Sequence, residues 1–244
     1  MAQITIMILL IVIFALPERF DCRITFLDVG QGDGVCIETG EEIFLIDCGS
    51  TSKEHLGKYT LMPFLKYRGI DEIDGWFLTH PDMDHTSAFR EMCENDGIAK
   101  VSVSKLYIPK KLEKEFGDII TLAKKCGIEV MMLDGGDVPE CEEIKITVLS
   151  PDIDLFYPDE NAASLVLYVE CGKYDALFMG DAGVTAERSI VRQGIEDVTL
   201  LKVGHHGSAI EANTKEFIQV INPAVAVISC GENNIYGHPH TDVT

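Results

Sequence analysis

The densest group of chemically active side chains lies directly after the apolar run 75–78. Two imidazoles and two carboxylates fall within six positions there, namely His80, Asp82, Asp84 and His85. An apolar run that ends in such a cluster is typical of a buried strand that delivers polar groups to the loop at its carboxyl end. Histidine nitrogen and aspartate oxygen suit Zn²⁺, Mn²⁺ or Fe, and such groups would repel one another or stay unsatisfied without a cation between them. The pattern therefore predicts a metal site rather than a polar loop with chance histidines.

Three other apolar runs also end in an acid or a histidine beside glycine. Asp47 follows 43–46, Asp181 follows 176–179, and His205 with His206 follows 199–203. Asp47 alone could equally be a turn or helix-capping residue. Two β-rich halves with helices outside them predict an α/β fold, a four-layer α/β/β/α sandwich, with these loops meeting along one edge.

A glycine-rich turn at 29–34 follows a strand-like segment at 23–28. The returning segment at 35–38 predicts a hairpin that opens the sheet. The turn does not predict a nucleotide-binding loop, because no helix follows it and it lacks a Gly-Lys-Ser/Thr sequence.

Composition and charge limit the kind of partner that the chain can attract. The chain has 244 residues, 46% of them hydrophobic, which is enough to bury a real core. No linker rich in Gly, Ser or Pro interrupts it, so one domain is predicted over 22–244. The net charge of −20 opposes non-specific attraction to nucleic acid or anionic lipid. A polyanionic substrate would need metal ions and local geometry to offset this charge.

An apolar segment occupies the first part of the chain, over 1–21. Its core at 4–17 has about 14 residues, fewer than the roughly 20 needed to cross a bilayer. It could be the hydrophobic part of a signal peptide, the end of a longer membrane helix, or a buried strand. Either membrane-related alternative predicts a cell-membrane location with the following domain on the extracytoplasmic side. The eight cysteines have no metal-binding spacing and are predicted to be buried free thiols.

With these motifs identified, the chain resembles the metallo-β-lactamase superfamily from residue 23 to its end. His80-x-Asp82-x-Asp84-His85 looks like the superfamily's metal signature, Asp181 like its bridging acid, and His205 or His206 like its last metal histidine. Within the superfamily the chain is most similar to the C-terminal domain of ComEC-type DNA-uptake competence proteins. The motifs that carry this similarity are 26–33, 161–167, 201–208 and 234–239.

The resemblance also departs from the family pattern. Asn161 stands near the place of the lactamases' third metal histidine, so one of two metal sites is expected to be weaker. Ile235 occupies a position where the family often has arginine. A β-lactam substrate is not expected.

The resemblance implies a role for each residue of the site. Asp181 would bridge two ions, His80 and Asp82 with His205 or His206 would hold one, and Asp84 and His85 would hold the other. The expected metal ligands are His80, Asp82, Asp84, His85, Asp181 and His205. Asp84, His206 and His238 are predicted to be catalytic, with either histidine contacting a phosphate oxygen or protonating the leaving group. Supporting or substrate-contacting roles are expected for Gln31, Asp33, Asp47, Asn161, Ser164, Ser208 and His240.

Three functions remain open at this stage. The first is a Zn²⁺- or Mn²⁺-dependent phosphodiesterase or nuclease domain of a ComEC-type protein, which would hydrolyse the non-imported DNA strand with a metal-bound hydroxide. Carboxylate-rich ligation shifts the preference toward Mn²⁺. The second is a membrane-anchored or secreted phosphodiesterase acting on a small or cell-wall phosphoester, and the third is a non-catalytic, metal-stabilised channel module. The partners would be DNA or another phosphodiester, and a membrane; the oligomeric state is left open.

Overall fold

A computed structural model of the chain describes residues 22–95 and 100–244. The apolar segment 1–21 lies outside the described residues, so its predicted role stays a prediction. Within the described ranges, no helix combines the length and apolar character needed to cross a membrane.

The first half of the chain forms a six-stranded sheet in sequence order. Its strands are β1 (Arg23–Phe26), β2 (Gly34–Glu38), β3 (Ile43–Asp47), β4 (Glu72–Phe77), β5 (Ser102–Pro109) and β6 (Glu129–Leu133). β1, β2 and β3 pair antiparallel, whereas β3 to β6 pair parallel. The parallel part requires crossover connections, and these contain helices.

The second half repeats this plan in a five-stranded sheet. Its strands are β7 (Lys145–Ser150), β8 (Val166–Cys171), β9 (Tyr174–Phe178), β10 (Leu200–Lys202) and β11 (Val225–Val227), in the order β11-β10-β9-β8-β7. β7 to β9 pair antiparallel and β9 to β11 pair parallel. The glycine-flanked ends of β9 and β10 therefore lie at one edge of this sheet.

Five α-helices belong to the connections. They are α1 (Met62–Arg68), which continues a π turn at Gly57–Leu61, α2 (Met83–Glu94), α3 (Gly117–Lys125), α4 (Val184–Arg192) and α5 (Lys215–Ile221). α1 has Pro63 in its first turn and ends at Gly69, whose φ of 71° is left-handed. Thr214 caps α5 by accepting a hydrogen bond from the backbone N–H of Phe217.

Apolar side chains alternate between the two faces of each sheet. Phe44 and Phe77 point into a core shared by the two sheets, together with Leu167 and Phe178 of the second sheet. On the outer face, Trp76 meets Phe89 of α2 edge to face, with ring centroids 5.1 Å apart. Each buried aromatic or branched side chain contributes roughly 1.5–3 kcal/mol. The predicted α/β/β/α sandwich is confirmed.

Two local expectations differ from the structure. α2 begins at Met83, so Asp84 and His85 lie in its first turn instead of in a loop. Asp82 stands at the N-cap with extended backbone angles, and its own carbonyl accepts the N–H of His85. The eight cysteines are free thiols as expected, but only Cys36, Cys48 and Cys171 are buried, and the other five are partly exposed. A 3₁₀ turn at Lys110–Leu112 precedes α3.

Candidate metal centre

Four strands end at the edge where the two sheets meet. Asp47 is the last residue of β3, while His80, Asp181 and His205 each stand three residues beyond the end of β4, β9 and β10. The two halves are joined at this edge, because the backbone N–H of Leu165 donates to the carbonyl of Thr79 at 2.9 Å. Residues that are far apart in the sequence are thereby brought together, as the strand-end pattern predicts.

His80 is fully buried and held through its Nδ1 atom. This nitrogen lies 3.2 Å from Ser164 Oγ and 3.1 Å from Thr79 Oγ1. Thr79 Oγ1 donates its own hydrogen to Asp47 Oδ2 at 2.9 Å, so it is free to accept from His80 Nδ1–H. The Nε2 atom of His80 then carries the lone pair and points toward the site.

His85 is oriented by Asp47 in the same manner. Its Nδ1 donates to Asp47 Oδ2 at 2.9 Å, and the other carboxylate oxygen accepts the backbone N–H of Thr79 at 2.8 Å. Asp47 is thus a partner of His85 and Thr79 behind the site. A carboxylate that holds a ligand histidine by its second nitrogen is common in metal sites.

His206 enters from a strained turn of the second half. The turn Gly204–Gly207 holds His205 at φ 46° and His206 at φ 52°, a left-handed conformation that is rare for residues with a side chain. His206 Nδ1 donates to the carbonyl of Ser229 at 2.9 Å. Its Nε2 lies 3.4 Å from Asp84 Oδ2 and 3.5 Å from Asp181 Oδ2.

Asp181 lies at the centre of the histidines. Its Oδ1 is 3.4 Å from His85 Nε2, and its Oδ2 is 3.9 Å from His80 Nε2. The Nε2 of His205 is 3.7 Å from the same Oδ2 atom, but His205 is less buried than His206 and its Nδ1 lies 3.8 Å from Glu211 at the surface. Both histidines of the pair therefore reach Asp181, and His206 is the one enclosed with the others.

The donor atoms fit a divalent cation. Within the described part of the chain, the Nε2 atoms of His80, His85 and His206 and the Oδ1 atom of Asp181 are buried without a hydrogen-bond partner. Such orphaned groups are costly unless something positive lies among them. Among the described residues, three sets of donors have atoms within 4.8 Å of one another: His80 with Asp84 and His85, His85 with Asp181 and His206, and Asp33 with Asp47 and His85. All of these sets contain His85. The resemblance implies a different division, in which His80 and His85 belong to different ions.

The charges of the site demand a cation. Burial alone would lower the pKa of His85, but Asp181 and Asp47 raise it well above its ordinary value. His206 behaves in the same way, because Asp181 and Asp33 outweigh its burial and raise its pKa to about 10. Burial, reinforced by the neighbouring His85, lowers the pKa of His80 to about 3. Without metal, protons on His85 and His206 balance the carboxylates.

A cavity of about 340 Å³ opens onto this cluster. Its floor is polar, and two half-exposed side chains, Met83 and Tyr236, stand at its rim. The lining residues are Gln31, Thr51, Asp82, Met83, Asp84, Asn161, Asp181, His205, His206, Tyr236 and His238. A second cavity of about 250 Å³ adjoins it and shares Asn161, Asp181 and His205.

The remaining predicted residues differ in how they relate to the cavity. Asp82 lies at the rim with its side chain 50% exposed, and its Oδ2 is 3.9 Å from His80 Nε2. Gln31 lines the cavity and accepts the backbone N–H of Gly231 at 2.9 Å. Ser208 and His240 are outside the lining: Ser208 O accepts from Asn213, and His240 Nδ1 accepts the N–H of Ala209.

Sequence reasoning missed Lys202. This residue of β10 is 2% exposed and forms an ion pair with Asp33, whose second oxygen lies 3.5 Å from His206 Nδ1. Burial raises the pKa of Asp33, but Lys202 and then His206 outweigh it and hold that pKa below its usual value. The sequence feature that could have indicated this ion pair is the single lysine inside the apolar run 199–203. A charged side chain buried in such a strand requires a partner of opposite charge.

Fold and site together define a sandwich protein with a histidine–aspartate metal centre at the strand ends. The sequence model of the metallo-β-lactamase superfamily matches residues 27–232, so the chain belongs to this superfamily, whose members are mostly metal-dependent hydrolases.

Similar proteins include ComEC-type competence proteins. ComE operon protein 3 of Bacillus subtilis (strain 168) is 31% identical over 258 aligned positions, which cover 98% of this chain and 32% of that protein. Competence protein ComA of Neisseria gonorrhoeae is 29% identical, over 92% of this chain and 29% of that protein. The chain thus spans about a third of the length of these relatives.

Solved structures agree on the fold. The metallo-beta-lactamase fold protein YhfI from Bacillus subtilis superposes with a TM-score of 0.61 at 12% identity, covering 89% of this chain and 90% of that one. At this identity the likeness concerns the fold alone.

Proposed function

We propose that this chain is a metal-dependent phosphodiesterase domain that acts as a nuclease in a ComEC-type competence protein. Its substrate would be the DNA strand that is not imported. The observation that carries the proposal is the convergence of three unpartnered Nε2 atoms, those of His80, His85 and His206, on the carboxylate of Asp181. Similarity to competence proteins supports DNA as the substrate. The predicted location, on the extracytoplasmic side of the cell membrane, belongs to this proposal.

The proposed ligands follow the distances. His80, His85, His206, Asp84 and Asp181 would hold the ion or ions. Asp82 and His205 are 3.9 Å and 3.7 Å from atoms of this group and would complete the coordination at the open side. A Zn²⁺ or Mn²⁺ ion bound there lowers the pKa of its water and so supplies the nucleophile near neutral pH. Three of the five central ligands are imidazoles, which suit Zn²⁺, and two are carboxylates, which suit Mn²⁺.

Other residues would orient the substrate. His238 lines the cavity, with its ring 5.8 Å from that of His205 and 6.3 Å from that of His206. A neutral imidazole has one N–H, which His238 would donate to a phosphate oxygen. Asn161 lies across the same cavity and offers an amide for a second such contact. The floor thus positions a phosphodiester from two sides.

Hydrolysis by the purified chain tests this proposal. With Mn²⁺ or Zn²⁺, we expect cleavage of single-stranded DNA and of bis-p-nitrophenyl phosphate. Asp84→Ala should lower kcat/KM on both substrates by about 10³-fold or more, since ion-mediated charge stabilisation is worth several kcal/mol. Asp71→Ala, which removes an exposed carboxylate before β4, is the matched control and should retain activity.

A specific observation keeps a second candidate in view. Among the described residues, those lining the cavity include no lysine or arginine, and the chain carries a net charge of −20. Both features suit a small or cell-wall phosphoester, because its binding does not require a row of basic side chains along a phosphate backbone. Cleavage of the small ester alone, lost in Asp84→Ala, would favour that substrate over DNA. Metal binding without turnover of either substrate would leave a non-catalytic module.

A further inference from the structure

One motif has no part in metal binding. The loop 231–240 contains Asn234, Tyr236 and His238, and only His238 reaches toward the histidine cluster. The side-chain contacts of this loop determine which groups it places beside the cavity.

Asn234 holds the loop in a fixed shape. Its Nδ2 donates to the carbonyls of Gly231 and His238 at 2.8 and 2.6 Å, and its Oδ1 accepts the N–H groups of Tyr236 and His238 at 3.2 and 3.0 Å. Gly237 takes the left-handed φ of 72° that the turn requires. The N–H of Gly231 is anchored in turn to Gln31 of the first half. One side chain thus closes a rigid loop.

The loop presents the ring of Tyr236 beside the metal-binding cluster. Tyr236 is 53% exposed, and its ring lies over that of His238 with centroids 5.7 Å apart and planes 24° apart. His238 is in turn 6.3 Å from His206. Tyr236 therefore lines the cavity one ring away from the predicted ligands. Its ring packs on His238 and is otherwise half exposed, so it offers an apolar surface to a ligand.

A second apolar side chain lies at the same rim. Met83, at the start of α2, is 52% exposed and lines the same cavity as Tyr236. Thioethers pack favourably against aromatic rings. Polar phosphoester-binding groups on the floor and apolar groups at the rim match the two parts of a nucleotide, its phosphate and its base.

The lack of basic residues in the cavity lining also favours a substrate that is bound through its bases. Since the described lining of the cavity has no lysine or arginine, contacts between basic side chains and phosphates contribute little to holding a nucleic acid there. Stacking of bases on aromatic side chains is the other general source of affinity for single strands, and it does not depend on sequence. A base-paired duplex keeps its bases stacked on one another and offers no free face.

We propose that Tyr236, fixed by Asn234 and lining the same cavity as Met83, is a specificity-determining residue that stacks on a base of single-stranded nucleic acid. The scissile phosphodiester then lies on the histidine–aspartate floor. This inference rests on the proposed phosphodiesterase function. It adds that the bases, more than the phosphates, hold the strand.

Two polymers of equal charge test the inference. Oligothymidylate and an abasic deoxyribose-phosphate polymer of the same length have the same phosphodiester linkage, but only the first has bases. With Mn²⁺-loaded protein, Tyr236→Leu should raise KM for oligothymidylate about 5- to 150-fold with little change in kcat. KM for the abasic polymer should not change, Tyr236→Phe should remain within about 2-fold of wild type, and Tyr67→Leu, on exposed α1, is the control.

Salt dependence supplies a second readout. The plot of log KM against log salt concentration should have a slope below about 1.5, the value for two phosphate contacts on a single strand. A slope of about 3 or more would show that phosphates hold the strand and would overturn the proposal. Equal KM values of the wild type for the two polymers would overturn it as well.

Binding separates failure of this inference from failure of the proposed function. If the metal-loaded wild type cleaves neither polymer, the nuclease proposal fails. Fluorescence anisotropy still compares the binding of labelled oligothymidylate with that of the abasic polymer in wild type and Tyr236→Leu. A preference for oligothymidylate that Tyr236→Leu abolishes supports stacking. Loss of activity of Tyr236→Leu on a phosphorylcholine ester alone would instead assign the ring to a cationic headgroup and overturn it.

Discussion

Lys202 of β10 and Asp33 of the loop before β2 form a buried ion pair across the two sheets. Asp33 also lies 3.5 Å from His206 Nδ1. The pair therefore connects the first half of the chain to the turn that supplies a predicted ligand. Removing one partner leaves the other charge buried and uncompensated.

Lys202→Met should destabilise the metal-free protein by about 3–5 kcal/mol, because the Asp33 carboxylate loses its counter-charge in a dry environment. Urea unfolding monitored by circular dichroism measures this change. Lys66→Met, at an exposed position of α1, should remain within about 0.5 kcal/mol of wild type. Adding Asp33→Asn to Lys202→Met should recover part of the loss. An unchanged urea midpoint in Lys202→Met would contradict the prediction.

The same pair predicts a dependence of stability on pH. The pKa of Asp33 is lower in the folded protein than the ordinary value of about 3.9, because attraction by Lys202 and His206 outweighs burial. Its contribution to stability is therefore complete above about pH 4 and is lost as the pH falls through the folded-state pKa. The stability gap between wild type and Lys202→Met should shrink in acid. Urea titrations at a series of pH values test this, and a gap that widens in acid would be inconsistent with the ion pair.

Gly32 predicts a second, steric effect. A Cβ atom at this position would overlap the carbonyl oxygens of Gly49 and Asp84, and its φ of 150° is unfavourable for other residues. Gly32→Ala should therefore cost at least about 2 kcal/mol and displace the start of α2 with its ligands. Gly117→Ala is the control, since no described atom lies within 4 Å of its Cβ position, and it should stabilise by about 0.4–1 kcal/mol. Thermal unfolding and metal titration of both variants test the contrast.

Asp47 predicts an effect on metal affinity without direct contact with the ion. Its Oδ2 accepts the hydrogen bond of His85 Nδ1, so Asp47→Asn should weaken Mn²⁺ or Zn²⁺ binding about 10- to 100-fold. Isothermal titration calorimetry measures the change. Asp74→Asn, whose carboxylate accepts the N–H of Ile43 away from the site, should bind as wild type does. Equal affinity of wild type and Asp47→Asn would assign Asp47 a purely structural role.

Metal binding should release protons. His85 and His206 have raised pKa values and are protonated at pH 7 in the metal-free protein, whereas His80, with a pKa of about 3, is neutral. A cation bound to the Nε2 atoms must displace one proton from each of the first two. Apparent affinity should thus rise with pH across the neutral range. Calorimetry in buffers of different ionisation enthalpy counts the protons, and a count near zero would contradict these protonation states.

The fold, and the meeting of the acid- and histidine-bearing strand ends at one edge, could be predicted from the sequence. Apolar strands that end beside glycine in an acid or histidine correctly indicated the edge where Asp47, His80, Asp181 and His205 meet. This prediction succeeded because neighbouring parallel strands have their carboxyl ends at the same edge of the sheet. Residues that follow different strands therefore lie close together.

The role of each individual side chain depends on local backbone angles, which the sequence pattern does not specify. His205 and His206 are adjacent, and only the left-handed turn that contains them directs His206 into the buried group. Asp47, for which a supporting or substrate-contacting role is expected, uses its carboxylate oxygens to bind Thr79 and His85. Lys202 was missed because its partner Asp33 is distant in sequence. Ser208 accepts from Asn213 of its own loop, and His240 accepts from Ala209 of the loop after β10, so neither lines the cavity.

The centre draws its donors from both halves: His80, Asp84 and His85 precede β6, while Asp181 and His206 follow β9. During synthesis, a nascent chain that has completed only its first sheet carries an incomplete site. The complete set of donors assembles only when the second half, which carries Asp181 and His206, docks on the first.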